Sequence, residues 1–150
     1  MSDERLQVLI VDDSPSLCEQ MTDLVAADGH QVQTAPTGEL ALVALAERAF
    51  DVAFVDLNLG GGMSGLDVLK QVRTEHADLT VVLISERASI PAAGEATKLG
   101  AFDFLEKPFD VDRLRLLLAH LSERARLKRR ARAVALPGSG GLAMVGGSEA

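Results

Sequence analysis

The chain has 150 residues, 47% of them hydrophobic and 25% charged, with a formal net charge of -7 at pH 7. That is the profile of one ordinary globular domain with some chain to spare. One cysteine, Cys18, excludes an intrachain disulfide, no apolar run approaches the ~20 residues of a membrane span, and the polar, acidic start MSDERLQ is no signal peptide; a cytoplasmic protein is expected. The charge is uneven. Residues 1–109 carry 7 Lys+Arg and 18 Asp+Glu, whereas residues 110–150 carry 8 and 4, so the first part is a poor surface for nucleic acid.

Strand-like and helix-like segments alternate along the chain. LQVLIV (Leu6 to Val11) is a near-continuous apolar run, as for a strand covered on both faces. Ser14 and Pro15 read as N-cap and first residue of a helix with Leu17, Met21, Leu24 and Val25 on one side, ending near Asp28-Gly29. HQVQTA is a short alternating strand, and TGELALVALAERA has helical spacing at Leu40, Val43 and Ala44. FDVAFVDLNL is a second strongly apolar strand, followed by a flexible loop, Gly60 to Gly65, and an amphipathic helix with Leu66, Leu69 and Val72 inward. LTVVLIS is a third buried strand. SIPAAGEATKLG is a weak helix with Gly94 inside it, at a cost of ~1 kcal/mol against alanine. AFDFLEK is the last strand, DVDRLRLLLAHLSERARLKRRARAV a long helix capped by Asp110, and ALPGSGGLAMVGGSEA a Gly-rich linker or frayed tail. Strict alternation of this kind implies a parallel sheet with helices on both faces and right-handed crossovers.

Ligands in open parallel sheets bind beyond the carboxyl ends of the strands, at the switch in strand order. Those ends carry Asp12-Asp13, Asp56, Ser85 and, before Pro108, Lys107. If the strands are neighbours, three carboxylates converge, raise each other's pKa and call for a cation. Lysine answers part of that need, and all-oxygen ligands favour Mg2+ for the rest. A carboxylate there can act as nucleophile and form an acyl phosphate, with cation and lysine neutralising the phosphoryl oxygens. No histidine cluster or Walker-type loop competes, and PGSGG lacks the Lys-Ser/Thr of a P-loop.

On VLIVDDSPS, FDVAFVDLNL, MSGLDVLKQVR, VVLIS and GAFDFLEKPF, in this order over about residues 6 to 121, the chain resembles a response-regulator receiver domain of bacterial two-component signalling. The resemblance implies a flavodoxin-like (βα)5 fold, a doubly wound parallel sheet of strand order 2-1-3-4-5 with an extended last helix. It implies Asp56 as phosphoacceptor, Mg2+ held by Asp12, Asp13, Asp56 and the backbone carbonyl of Asn58, and Lys107 as the lysine on the phosphoryl group, with a cis Lys107-Pro108 peptide. Ser85 matches the switch hydroxyl and Phe104 the switch aromatic. The implied partner is a sensor histidine kinase, and the implied output is control of dimerisation and, through it, transcription. Three features depart from the family. Glu86 follows Ser85 where a small residue is usual. LGGGMSG replaces the usual Met-Pro loop with an extra residue, which should make it more mobile. The aromatic is Phe, without a hydroxyl. LAMVGGSEA also resembles the entry to the AAA+ ATPase domain of alternative-sigma-factor activators. On that basis residues 1–121 would be the receiver and 122–150 a helical linker and tail leading to an output domain absent from this chain.

Each motif has a plainer reading. Asp12-Asp13 could cap a helix, Asp56 could end a strand, Ser85 could cap the next helix, and Phe104 could be core. Cys18 should pack in the first helix, and His30, His76 and His120 should lie on the surface. RLKRRAR (Arg126 to Arg132) could be a solvated helix end, a dimer linker in which Leu114, Leu117, Leu118 and Leu121 pair with a mate, or a DNA-binding segment, which no recognition motif supports. Two other functions compete with the switch. A metal-dependent phosphatase or phosphotransferase would use an aspartyl phosphate, but usually shows a DxD pair after the first strand. A degenerate receiver serving only to bind proteins would not need the complete set Asp12, Asp13, Asp56 and Lys107.

Overall fold

Three apolar strands side by side need cover on both faces, and the chain supplies it in two layers of helix. The computed structural model describes residues 5–60, 62–86, 94–95 and 97–135. The strands are β1 (Gln7–Val11), β2 (Gln31–Ala35), β3 (Val52–Asp56), β4 (Thr80–Glu86) and β5 (Asp103–Lys107). All neighbours pair parallel, in the order β2-β1-β3-β4-β5. The helices are α1 (Pro15–Ala27), α2 (Gly38–Glu47), α3 (Gly65–Glu75) and the long last helix, Val111–Ala135. Much of the weak helix expected around Gly94 lies outside the described residues, as does the Gly-rich tail; residues 94–95 and 97–98 are helical.

Alternation along β1 sorts the core. Leu9 and Val11 face one way, into a cluster with Ala41, Leu45, Val68 and Leu69 from α2 and α3. Val8 and Ile10 face the other way, against Met21 and Val25 of α1 and Leu114, Leu117, Leu118 and Leu121 of the last helix. The last four side chains are 0–2% exposed. The leucine stripe is therefore spent on the protein's own sheet and is not available to pair with a mate, which corrects the dimer-linker reading.

The buried face of α2 also differs from expectation. Gly38, Ala41, Ala44 and Leu45 face inward, while Leu40 and Val43 are each 50% exposed. Small residues let α2 approach closely. A Cβ on Gly38 would stand 2.7 Å from Val68 Cγ2 and 2.9 Å from Met63 Cβ. Because the helix is apolar nearly all round, spacing alone cannot say which side is pressed inward.

Capping follows the sequence. Ser14 accepts from Leu17 N, Thr37 from Leu40 N, and Ser64 forms a capping box with Asp67. Asp110 Oδ1 accepts from Asp112 N at the head of the last helix. His30 is half-buried rather than on the surface, and its Nδ1 accepts the Leu6 N–H at 3.0 Å. The basic stretch is not simply solvated either. Arg129 reaches Asp51 Oδ2 and the Arg5 carbonyl, each at 3.0 Å, and Lys128 reaches the Asp78 carbonyl at 2.6 Å. One face of the helix end thus grips the base of the sheet. Among the described residues, no helix is long and apolar enough to cross a membrane.

Candidate functional site

The order β2-β1-β3 means that the chain steps out to one edge and then reverses. That leaves a crevice beyond the ends of β1 and β3. The ladder carries on past both ends: Asp12 N donates to Ala35 O at 3.1 Å and Leu57 N to Ile84 O at 2.9 Å. Asp12 and Asp56 are therefore held by backbone as rigid as the strands, and both are buried, 1% and 4% exposed. Asp13, one residue on, is exposed. Oxygens of all three carboxylates lie within 4.8 Å of one another.

Lys107, from the end of β5, crosses over β4 to reach them. Its Nζ donates to Asp56 Oδ2 at 3.0 Å and lies 3.2 Å from Asp12 Oδ2. Asp56 Oδ1 accepts the Asn58 N–H at 3.0 Å, and Asp12 Oδ1 accepts that of Ser14 at 2.8 Å. Asp12 Oδ2 is buried, with the Lys107 ammonium 3.2 Å away as its counter-charge. Burial pushes the Asp12 carboxyl up; the Ser14 N–H opposes this, and the charge of Asp56 adds to it. Burial would lower the Lys107 ammonium, but Asp56 and Asp12 outweigh it and hold it above its ordinary value. Three carboxylates and one ammonium leave two negative charges in excess. An all-oxygen set with that charge fits a hard divalent cation.

The remaining residues fall around this core. Ser85 is 1% exposed at the end of β4, and its hydroxyl has no hydrogen-bond partner among the described residues. It lies two residues beyond Leu83, which pairs in register with Phe104, so both expected switch residues look toward the α2–α3 face. There Phe104 is half-buried against the core. The Lys107-Pro108 peptide is cis. Glu86 is exposed, and with Ser14, Leu17, Gln20, Lys107 and Phe109 it lines a groove of about 700 Å³ beside the site. Cys18 donates its thiol to the Asp12 carbonyl at 3.3 Å, and burial pushes its pKa up, so it is a packing group rather than a nucleophile.

The described residues of the glycine-rich loop make defined contacts. Gly65 is buried as the first residue of α3, where a Cβ would stand 2.3 Å from the Asp56 carbonyl oxygen. Gly60 N donates to Asp13 Oδ2 at 3.0 Å, and Met63 N to Glu39 Oε2 at 3.3 Å. Glu39 escaped the sequence reading. The one signal for it was an acidic first-turn residue on a helix that begins at the same edge of the sheet as the carboxylates.

Residues 8–119 match the response regulator receiver domain family. The chain is 36% identical to the nitrogen assimilation regulatory protein NtrX of Azorhizobium caulinodans over 126 residues, 83% of this chain and 28% of that protein. It is 35% identical to the transcriptional regulatory protein ZraR of Klebsiella oxytoca over 127 residues, 85% and 28%. The crystal structure of the NtrX receiver domain from Brucella abortus superposes with a TM-score of 0.75 at 36% identity, covering 77% of this chain and 98% of that one. The chain thus spans under a third of the length of these curated relatives. Its fold, the placement of its acidic crevice and these similarities together make it a member of the response-regulator receiver family, the phosphorylation-dependent switches of two-component signalling.

Proposed function

We propose that Asp56 is the phosphoacceptor of this receiver, taking a phosphoryl group from a sensor histidine kinase. The observation that carries this is the Lys107–Asp56 contact inside a buried acidic crevice. Asp12, Asp13, Asp56 and the backbone carbonyl of Asn58 would hold Mg2+, which supplies positive charge where phosphoryl oxygens gather. Lys107 shields Asp56 from Asp12 before transfer and supports a phosphoryl oxygen after it. Asp56 Oδ1 is held by the Asn58 N–H, which aims the carboxylate at an incoming phosphorus. The chain's role is that of the acceptor and its own dephosphorylation, not turnover of an external substrate.

Ser85 is the sensor of the new group. Its buried hydroxyl has no partner among the described residues, and a phosphoryl oxygen on Asp56 would supply one. Movement of Ser85 opens space for Phe104 on the same face, shifting a pre-existing equilibrium. The face of β5 and the last helix, with Phe102, Val111, Leu116 and Leu127 exposed, then changes its fit to a second copy or to an output domain. Residues 1–121 are the switch, and 122–150 link it to an AAA+ output module of a transcription regulator, in keeping with the longer relatives.

Beryllofluoride, an acyl-phosphate mimic, tests the switch. With Mg2+ it should move the amide resonances of Ser85 and Phe104 in the wild type and leave those of Asp56→Asn in place. Unmoved resonances in a wild type that binds the mimic would refute the Ser85–Phe104 relay.

A further inference from the structure

Asp12 and Asp56 are fixed by burial and by Lys107. Asp13 is exposed, and its orientation rests on the Gly60 N–H, 3.0 Å from its Oδ2. That donor sits at the head of a run, Gly60 to Gly62, whose glycines lose more conformational freedom on ordering than any other residue type. On its far side Glu39, in the first turn of α2, accepts the Met63 N–H through Oε2 at 3.3 Å. Gly62 lies against the same carboxylate, so closely that a Cβ there would stand 2.4 Å from Oε2. Met63 in turn packs under Gly38, the residue before Glu39. The loop is therefore tied at both ends by carboxylates, Asp13 of the crevice and Glu39 of α2.

We infer that Glu39 is a positioning residue for the cation site: by holding Gly62 and Met63 against α2 it keeps the nearby Gly60 N–H on Asp13, and so pre-aims the one exposed carboxylate of the crevice. The inference rests on the cation-binding reading of Asp12, Asp13 and Asp56. Groups that orient metal ligands without touching the metal commonly change affinity by ~10–100-fold when removed.

The test is a Mg2+ titration by calorimetry, with the Gly60 and Met63 amide resonances followed alongside, on wild type, Glu39→Ala, Glu39→Gln, Gly62→Ala and the double variant. Glu39→Ala should weaken Mg2+ roughly tenfold and shift the Gly60 amide before any metal is added. Glu39→Gln keeps an acceptor for Met63 N and should stay near wild type. Gly62→Ala attacks the same contact from the loop side, so it should weaken binding too, and the double variant should be no worse than either single one. Wild-type affinity in Glu39→Ala would overturn the inference while leaving the cation site intact. Equal losses in Glu39→Gln and Glu39→Ala would overturn it in favour of a plain charge effect. A wild type that binds no Mg2+ would instead overturn the cation site itself.

Discussion

Lys107 and Asp56 meet at 3.0 Å across a strand that separates them. β3 and β5 are not neighbours, so the lysine reaches over the end of β4 to join an acceptor 51 residues away. The same ammonium also stands between Asp56 and Asp12. Replacing it with alanine leaves two buried carboxylates facing each other, and cation-free Lys107→Ala should lose roughly 1–3 kcal/mol, less than a fully buried pair because the lysine is partly exposed. Mg2+ should restore part of that loss. Urea unfolding with and without Mg2+ measures both; equal losses in the two conditions would remove the charge argument.

Ser85→Ala should behave in the opposite sense. Among the described residues the buried Ser85 hydroxyl has no partner, so it contributes desolvation cost without a hydrogen bond from them. The unphosphorylated variant should match the wild type in stability or exceed it by up to about 1 kcal/mol. A clear loss in urea unfolding would show that the hydroxyl is already bonded in the resting state.

Gly65→Ala should be among the most damaging small substitutions. Its Cβ would meet the Asp56 carbonyl oxygen at 2.3 Å and Leu57 Cα at 2.6 Å, both backbone, so the acceptor strand or α3 must move. A loss of roughly 2–3 kcal/mol is expected. Gly29→Ala makes the useful contrast: it has φ +93° but nothing within 4 Å, so only its left-handed backbone is penalised, by roughly 1 kcal/mol. Thermal midpoints of the two variants should rank in that order.

His30 gives the fold a pH dependence. Burial pushes its pKa below the ordinary 6.5, against the pull of Asp28 and Asp51, and its Nδ1 accepts the Leu6 N–H, which an imidazolium cannot do. A base whose pKa falls on folding contributes fully above its unfolded value of about 6.5, and the contribution is lost progressively as pH drops from there through the lower folded value. Wild type should therefore lose stability as pH falls below about 7, and go on losing it until His30 protonates in the folded protein. His30→Gln, which accepts a hydrogen bond but does not titrate, should lose less over the same range. Parallel curves for the two proteins would rule His30 out.

Strand after strand ending in a carboxylate or lysine made the sheet and its crevice legible, because both follow from local pattern plus one topological rule. Ser14-Pro15 marked the start of α1 for the same reason. What stayed hidden depends on which of two equivalent partners wins. The stripe Leu114–Leu121 has the spacing that suits either a sheet or a mate, and only the tertiary fold assigns it to the sheet. On α2, alanine and leucine rows compete on an all-apolar helix, and close approach to α3 favours the alanines. Glu39 at the loop and Arg129 at Asp51 make contacts over long sequence separations, which no local pattern announces.

Intact mass shows whether Asp56 accepts a phosphoryl group. The chain is incubated with Mg2+ and a small acyl-phosphate donor or a sensor kinase, alongside Asp56→Asn and a metal-free control. One phosphoryl adduct on the wild type, missing from the variant and from the control, is the predicted result. An adduct that persists in Asp56→Asn, or none with any donor, would contradict it.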